Sequence, residues 1–224
     1  MLAGEGAVAI WNGITDAGRA EFYAWHLHEH MPERVGIPGF LRGRRYRAAD
    51  TDTHPEFFTL YETQTFEVTQ GSDYLNRLNA PTPWTKSATS HFLTTSRALT
   101  RVLASHGVGS GGALLTLRFD LPDHMAGQKA QLDALLAEVS GTAEITGAHL
   151  LEADDQASGT KTAESRDRKD IEAPPRWIIL IEACSAAALE PALTLLRRHP
   201  ALTTANTGRY LHEFTRLKTA WAAG

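Results

Sequence analysis

The chain has 224 residues, of which 42% are hydrophobic and 21% charged, with a formal net charge of −4 and a pI near 6.2. That is the balance of a globular protein long enough to bury a core, and its mild acidity weighs against nucleic acid or an anionic membrane surface as the main partner. A single cysteine, Cys184, rules out an internal disulfide. The sequence shows no secretion signal and no apolar run of about 18 residues, so the expected location is the cytoplasm, away from any membrane.

Hydrophobic periodicity gives the same order of elements twice. "GAVAIWNGI" reads as a strand. A helix follows from about Asp16 to Met31, with Pro32 as its stop. "GFLRGRRYRA" and "EFFTLYET" form a hairpin, a helix spans about Glu67 to Leu78, and "SHFLTTSRALTRVLAS" closes the half as a long strand. The glycine-rich stretch "GVGSGG" (107–112) is a flexible linker by composition. After it come the strand "ALLTLRFDL", the helix "KAQLDALLAEVS", the strands "ITGAHLLEA" and "PRWIILIEA", the helix "ALEPALTLLRR" and the strand "TGRYLHEFTRL".

Each half is therefore β-α-β-β-α-β, the ferredoxin-like plan. Helices cover one face of each sheet and leave an apolar face that needs a partner. The expected fold class is α+β, with two tandem ferredoxin-like repeats packed sheet to sheet. The first repeat covers 1–106 and the second 113–224, and a further pairing into a homodimer is compatible with this plan. The stretch 154–175, polar and nearly without apolar residues, is expected to be a mobile, solvated loop. Cys184, at the end of "WIILIEAC", is expected to be buried and inert.

The chemistry-bearing stretch is "WHLHEHMPERVGIPGF", Trp25 to Phe40. On an α-helix, Ala20, Tyr23, Ala24, Leu27 and Met31 share the face expected to pack on the sheet, with His30 and Arg34 at its edge. His26 and His30 are four apart and so are neighbours. His28 points to the opposite flank, toward water, and Trp25, Glu29 and Phe22 lie away from the core stripe. The order H-L-H-E-H does not match H-E-x-x-H and supplies no third ligand, so no metal site is assigned. Histidines at a helix carboxy-terminus also gain from the dipole without any function.

Strand alternation puts Arg42, Arg44 and Tyr46 on one face and Arg45 and Arg47 on the other. If inward, Arg44 or Tyr46 offers a donor to developing negative charge. If outward, they are solvated surface. Pro81 and Pro83 pin the loop that carries Trp84, which either lids a pocket or staples the core, and Asn79 either orients a polar group or suits a helix end. No phosphate-binding loop, dinucleotide fingerprint or nucleophile elbow occurs.

"FYAWHLHEHMPERVGIPGF" resembles the helix-to-strand passage of EthD-like members of the dimeric α/β barrel superfamily. The resemblance rests on Phe22 with Trp25, His30 with Pro32, and Pro38-Gly39-Phe40. It implies a barrel of the kind two single-repeat chains usually build together, here with the repeats fused. Because the second half has no counterpart of the histidines, it also implies a working pocket in the first half alone and a second half that serves as scaffold. Tandem repeats in one chain are also similar to the chlorite dismutase and aldoxime dehydratase groups, which hold haem through a histidine of the second repeat. The candidates for that role are His199 and His212.

The expected function is a cofactor-independent enzyme, a lyase or isomerase of EthD-like type, acting on a small aromatic or polyketide-like substrate by isomerisation, dehydration or decarboxylation. His30 and His26 are its expected acid–base groups, with Arg44 and Tyr46 steadying charge and Phe22, Trp25, Trp84, Arg34 and Asn79 binding substrate. Two alternatives stand beside it: a haem-binding (or divalent-metal) barrel enzyme of dehydratase or dismutase type, and a non-catalytic binding or stress-response barrel.

Overall fold

A computed structural model describes residues 1–121 and 127–219. The first half runs β1 (Gly6–Ile14), α1 (Arg19–Trp25), α2 (Met31–Gly36), β2 (Phe40–Ala48), β3 (Phe57–Thr63), α3 (Ser72–Asn79), α4 (Pro83–Thr89) and β4 (Phe92–Gly107). The second runs β5 (Ala113–Phe119), α5 (Lys129–Ser140), β6 (Ile145–Ala153), α6 (Asp155–Ser158), β7 (Ile171–Glu172), β8 (Trp177–Ala183), α7 (Leu189–Leu196) and β9 (Asn206–Leu217).

The strand order β1-β3-β2-β9-β5-β8-β6-β4 closes on itself through the β1–β4 pairing, giving an eight-stranded antiparallel barrel, and β7 adds to β4 outside the ring. Within each half the order is that of a ferredoxin-like sheet: last strand, first, third, second. The barrel closes because β4 and β9 are long enough to serve two partners each. β4 pairs β1 over Phe92–Arg101 and β6 over Thr100–Gly107. β9 pairs β5 over Asn206–Leu211 and β2 over Tyr210–Leu217. Every backbone edge of the two sheets is thereby consumed.

Alternation then sorts each strand into two faces. Trp11, Phe58, Tyr46, Leu114, Leu151, Ile178, Leu180 and Tyr210 form one core drawn from both halves, inside the barrel. All seven residues of β3 and all seven of β8 are buried, since each strand has the other half on one side and helices on the other. The turn into β2 needs Gly39, whose φ of 83° leaves the region open to side-chain-bearing residues. Gly43 lets helix and strand approach: a Cβ there would lie 2.7 Å from Met31 Sδ and 2.9 Å from the Tyr61 ring.

Three expectations change here. Pro32 does not stop the helix. Residues His26–His30 wind as a π-turn, with the Met31 N–H bonded five residues back to the His26 carbonyl, and Pro32 then sits in the first turn of α2, where its missing N–H is harmless. The buried stripe is Phe22, Trp25 and His26, which the extra residue of the π-turn extends through His30 and Arg34, while Leu27 is 44% exposed. Cys184 is exposed, one residue past the end of β8.

The third change concerns 154–175. Instead of lying in solvent as a loop of the second half, this segment folds across the first half. Ser158 accepts from the Leu99 N–H at 3.0 Å, the Glu164 N–H bonds the Leu78 carbonyl at 3.0 Å, and Ile171–Glu172 lie along Thr95–Ser96 of β4. Its polar groups are satisfied by first-half backbone, which a composition-based reading cannot distinguish from satisfaction by water.

Candidate active-site cavity

Beneath this strap lies a cavity of about 490 Å³, floored by the outer face of β1, β3 and β4 and walled by the π-turn. Ile10, Asn12, Thr59 and Phe92 come from the floor and its rim, and Trp25, His26 and His30 from the wall. The π-turn is what brings both histidines to the sheet, since His26 and His30 are 96% and 94% buried.

His30 stacks on Trp25, with ring centroids 4.2 Å apart, and meets Tyr61 edge-on at 6.2 Å. Its Nδ1 is buried and has no hydrogen-bond partner, and the same holds for Thr59 Oγ1 and the Tyr61 hydroxyl on the same sheet face. Burial, reinforced by the nearby Arg34 guanidinium, holds the His30 imidazole well below the ordinary histidine range. Burial and then Arg45 do the same to His26, whose Nδ1 faces Arg45 Nη1 at 3.4 Å. Guanidinium is only a donor, so that His26 nitrogen is an acceptor. Both rings are therefore neutral at neutral pH.

Trp25 is fixed by donating from Nε1 to Thr85 Oγ1 at 3.2 Å. Glu29, between the histidines in sequence, accepts from Thr82 and Thr85 at 2.6 and 3.2 Å and so braces the start of α4. His28 is exposed. A partly enclosed space with aromatic walls and unpaired polar atoms at its base suits a flat apolar molecule that carries a hydroxyl or carbonyl.

Other expected site residues lie elsewhere. Arg44 and Tyr46 do point inward, but into the packed barrel interior, across the sheet from the histidines. There Arg44 pairs with Glu62 at 2.9 Å and Glu182 at 2.6 Å, and Tyr46 packs on Phe58 at 5.8 Å. The strand neighbour that reaches the histidines is Arg45, on the opposite face, held by Glu213 at 2.6 Å. Phe22 packs behind the cavity on Phe57 at 4.7 Å. Trp84 is a core staple beside Phe22 and Ala88 and is not among the residues lining the cavity. Arg34 and Asn79 tether the strap: Arg34 pairs with Glu164, and Asn79 Oδ1 accepts from the Ala163 N–H at 3.0 Å.

Sequence reasoning missed Asn12, Thr59 and Arg97, whose only signal is their outward register on β1, β3 and β4. It also missed the lining residues of the strap, which carry no sequence signal at all.

The haem candidates do not fit. His199 caps a short turn, its Nδ1 accepting from the Ala201 N–H. His212 bonds Thr215 at 2.8 Å beside Tyr46. Neither lines the cavity, and in their half the space between helices and sheet is filled by Leu132, Leu136, Val139, Leu189, Leu193 and Leu196. In the cavity itself, a ligating histidine needs an acceptor for its second ring nitrogen. His30 Nδ1 has no partner, and His26 Nδ1 faces a donor. Among the described residues no three His, Cys, Asp or Glu side chains converge to hold a metal, and no helix is long and apolar enough to cross a membrane.

No protein-family model matches the chain, and no curated protein does. Solved structures match over nearly the whole length. An anthrone oxidase-like protein superposes with a TM-score of 0.60 at 12% identity, covering 98% of this chain and 95% of its own. A protein named as a monooxygenase from Lactobacillus acidophilus gives 0.58 at 9%, covering 95% and 96%. A mutant chlorite dismutase from Candidatus Nitrospira defluvii, in complex with cyanide, gives 0.52 at 9%, covering 93% and 90%. At these identities the likeness fixes the fold: the chain is a dimeric-type α/β barrel. The neighbours' names are those of oxidative enzymes. They overturn the expectation of a cofactor-independent isomerase, dehydratase or decarboxylase.

Proposed function

We propose that the chain is an oxidative enzyme of the monooxygenase-like barrels, and that its cavity binds a small, flat, hydroxylated or keto aromatic that reacts with dioxygen. The observation that carries the reading is the cavity's composition: Trp25 and Phe92 at its sides, and the unpartnered His30 Nδ1 and Thr59 Oγ1 at its base. The likeness to an anthrone oxidase-like protein supports the same class of substrate. His30, neutral because it is buried, accepts the hydrogen bond of a substrate hydroxyl or enol, and Thr59 donates to a neighbouring oxygen. Trp25 fixes the plane of the ring system by offset stacking. The strap excludes water from the reacting carbon.

The direct test is oxygen uptake with anthrone. Its methylene carbon loses two hydrogens and becomes a carbonyl. One atom of O₂ enters the product and the other leaves as water. The wild type is expected to consume oxygen and form anthraquinone above the uncatalysed rate, and His30→Ala to lose about 100-fold in kcat/KM, the cost typical of a misplaced substrate. No uptake with anthrone or related phenols contradicts the reading. A Soret band in the purified protein replaces it with the haem enzyme that the chlorite dismutase likeness suggests.

A further inference from the structure

A second cavity of about 290 Å³ adjoins the first beneath the strap, and Arg97, Thr160 and Thr162 line both. Its other walls are Thr69, Gln70 and Gln156 with apolar Leu75, Leu78, Leu99 and Ala157, so among the described residues Arg97 is its one charged lining residue. Arg97 comes from β4 and is partly buried. Among the described residues its guanidinium has no carboxylate or hydrogen-bond partner. In this it differs from Arg34, Arg44, Arg45 and Arg168, each of which is paired with a carboxylate. In the larger cavity, Glu164 is engaged by Arg34, Asp170 beyond it holds Arg168, and Asp155 and Glu172 are exposed. An unpaired guanidinium held in a partly enclosed space among neutral hydrogen-bonding groups is a site for an anion.

We infer that the aromatic substrate carries an anionic group, a carboxylate, which enters the smaller cavity and pairs with Arg97 while the rings occupy the larger one. The inference rests on the larger cavity being the substrate site. It makes Arg97 a specificity residue and the strap, a second-half segment, part of the recognition of substrate bound in the first half. Beside Arg97 the strap offers the Gln156 side-chain amide to the carboxylate, while the Thr160 hydroxyl donates to the Gln156 carbonyl at 3.1 Å and the Thr162 hydroxyl is engaged with Ser165 at 3.3 Å.

The test uses two probes that share the hydroxynaphthalene ring and differ in whether the carboxyl group is ionised or esterified, 6-hydroxy-2-naphthoic acid and its methyl ester, titrated calorimetrically into the intact protein. The wild type is expected to bind the acid about tenfold or more tightly than the ester, as a charge-assisted pair warrants. That preference is expected to shrink as ionic strength rises. Arg97→Gln is expected to lose the preference while keeping the ester's affinity, and Arg97→Lys to keep part of it. Because Arg97 has no partner to lose, the thermal midpoint of Arg97→Gln should stay close to that of the wild type. Equal binding of acid and ester by the wild type, or a preference that survives in Arg97→Gln, overturns the carboxylate subsite and leaves the aromatic site standing. Failure of both compounds to bind overturns the aromatic site, and this inference with it.

Discussion

The two halves share one chain plan and differ in what lies between helices and sheet. In the second half, α5 and α7 lay Leu132, Leu136, Leu189, Leu193 and Leu196 on the sheet, all at most 3% exposed. In the first half only part of the matching space is filled, by Val8, Met31, Val35, Tyr61 and Leu78, and the rest is held open. A π-turn presents two histidines and a tryptophan, β3 offers Thr59, and a segment borrowed from the other half roofs the gap. Filling such a space with leucine gains roughly 25 cal/mol for each Å² of apolar surface taken from water. Leaving it hollow, with buried polar atoms unpaired, gives up part of that stability, as sites built to hold something else commonly do. The second half thus shows what the fold does when it is only packed, and the first what it does when it must receive a ligand.

The largest expected effect falls on the seam that holds the halves together. Inside the barrel, Arg44 bridges Glu62 of one half and Glu182 of the other, and His149 approaches Glu182 at 3.3 Å. Burial pushes the Glu182 carboxyl upward, but the His149 hydrogen bond and the Arg44 charge outweigh it and hold it at about 2. Glu182→Leu leaves Arg44 short of a partner in the interior and should cost roughly 3–5 kcal/mol in urea unfolding. The carboxyl's contribution is present in full above the unfolded carboxylate value of about 4.3 and is lost as pH falls toward its folded value. An acid-unfolding midpoint that Glu182→Leu leaves unmoved counts against the seam.

Next comes the filled half. Leu136 is fully buried, so Leu136→Ala should cost about 2–5 kcal/mol, with no change in ligand affinity. A loss of binding in that variant would erase the distinction between the halves.

The hollow half should show itself through pH. His26 and His30 are held below their unfolded value of about 6.5. As pH drops below that value the unfolded chain takes up protons that the native state refuses, so stability falls by up to about 1.4 kcal/mol per pH unit for each ring. His30→Gln should make the fall shallower between about pH 6.5 and 5. An unchanged slope would mean that the ring titrates as if exposed.

The smallest effect is the most diagnostic. Thr59→Val removes a buried, unpartnered hydroxyl and should leave stability unchanged or raise it by about 1 kcal/mol. Binding of a hydroxylated aromatic should weaken in the same variant. A destabilised protein would mean that the hydroxyl has a structural partner.

Much of the fold was legible because the signals are local and repeated. The alternation in "EFFTLYET" marks a strand but predicts burial of one face only, where all seven residues of β3 are buried; the unbroken apolar run in "WIILIEA" marks the fully buried β8, and the order of elements appears twice. The stretch from Trp25 to Phe40 stood out for its chemistry, and Trp25, His26 and His30 do line the cavity. His30 and Arg34 were placed at the edge of the core stripe because a wheel of 100° per residue does not allow for a π-turn, and nothing in H-L-H-E-H announces one. Strand alternation put Arg44 and Tyr46 on one face without deciding which way that face points; it points inward, and inward here means the shared core, while the cavity lies on the opposite face of the same sheet. The strap was illegible for a different reason: its packing depends on pairing with β4, α3 and Arg34, which are distant in sequence.

The most direct test of the central claim is a titration of the protein with 2-naphthol, followed by the nitrogen-15 resonances of the histidine side chains. Shifts at His26 and His30, with His149, His199 and His212 unmoved, are the predicted result and would place the aromatic in the first-half cavity. Shifts at His199 or His212, or none at His30 at saturation, would contradict it.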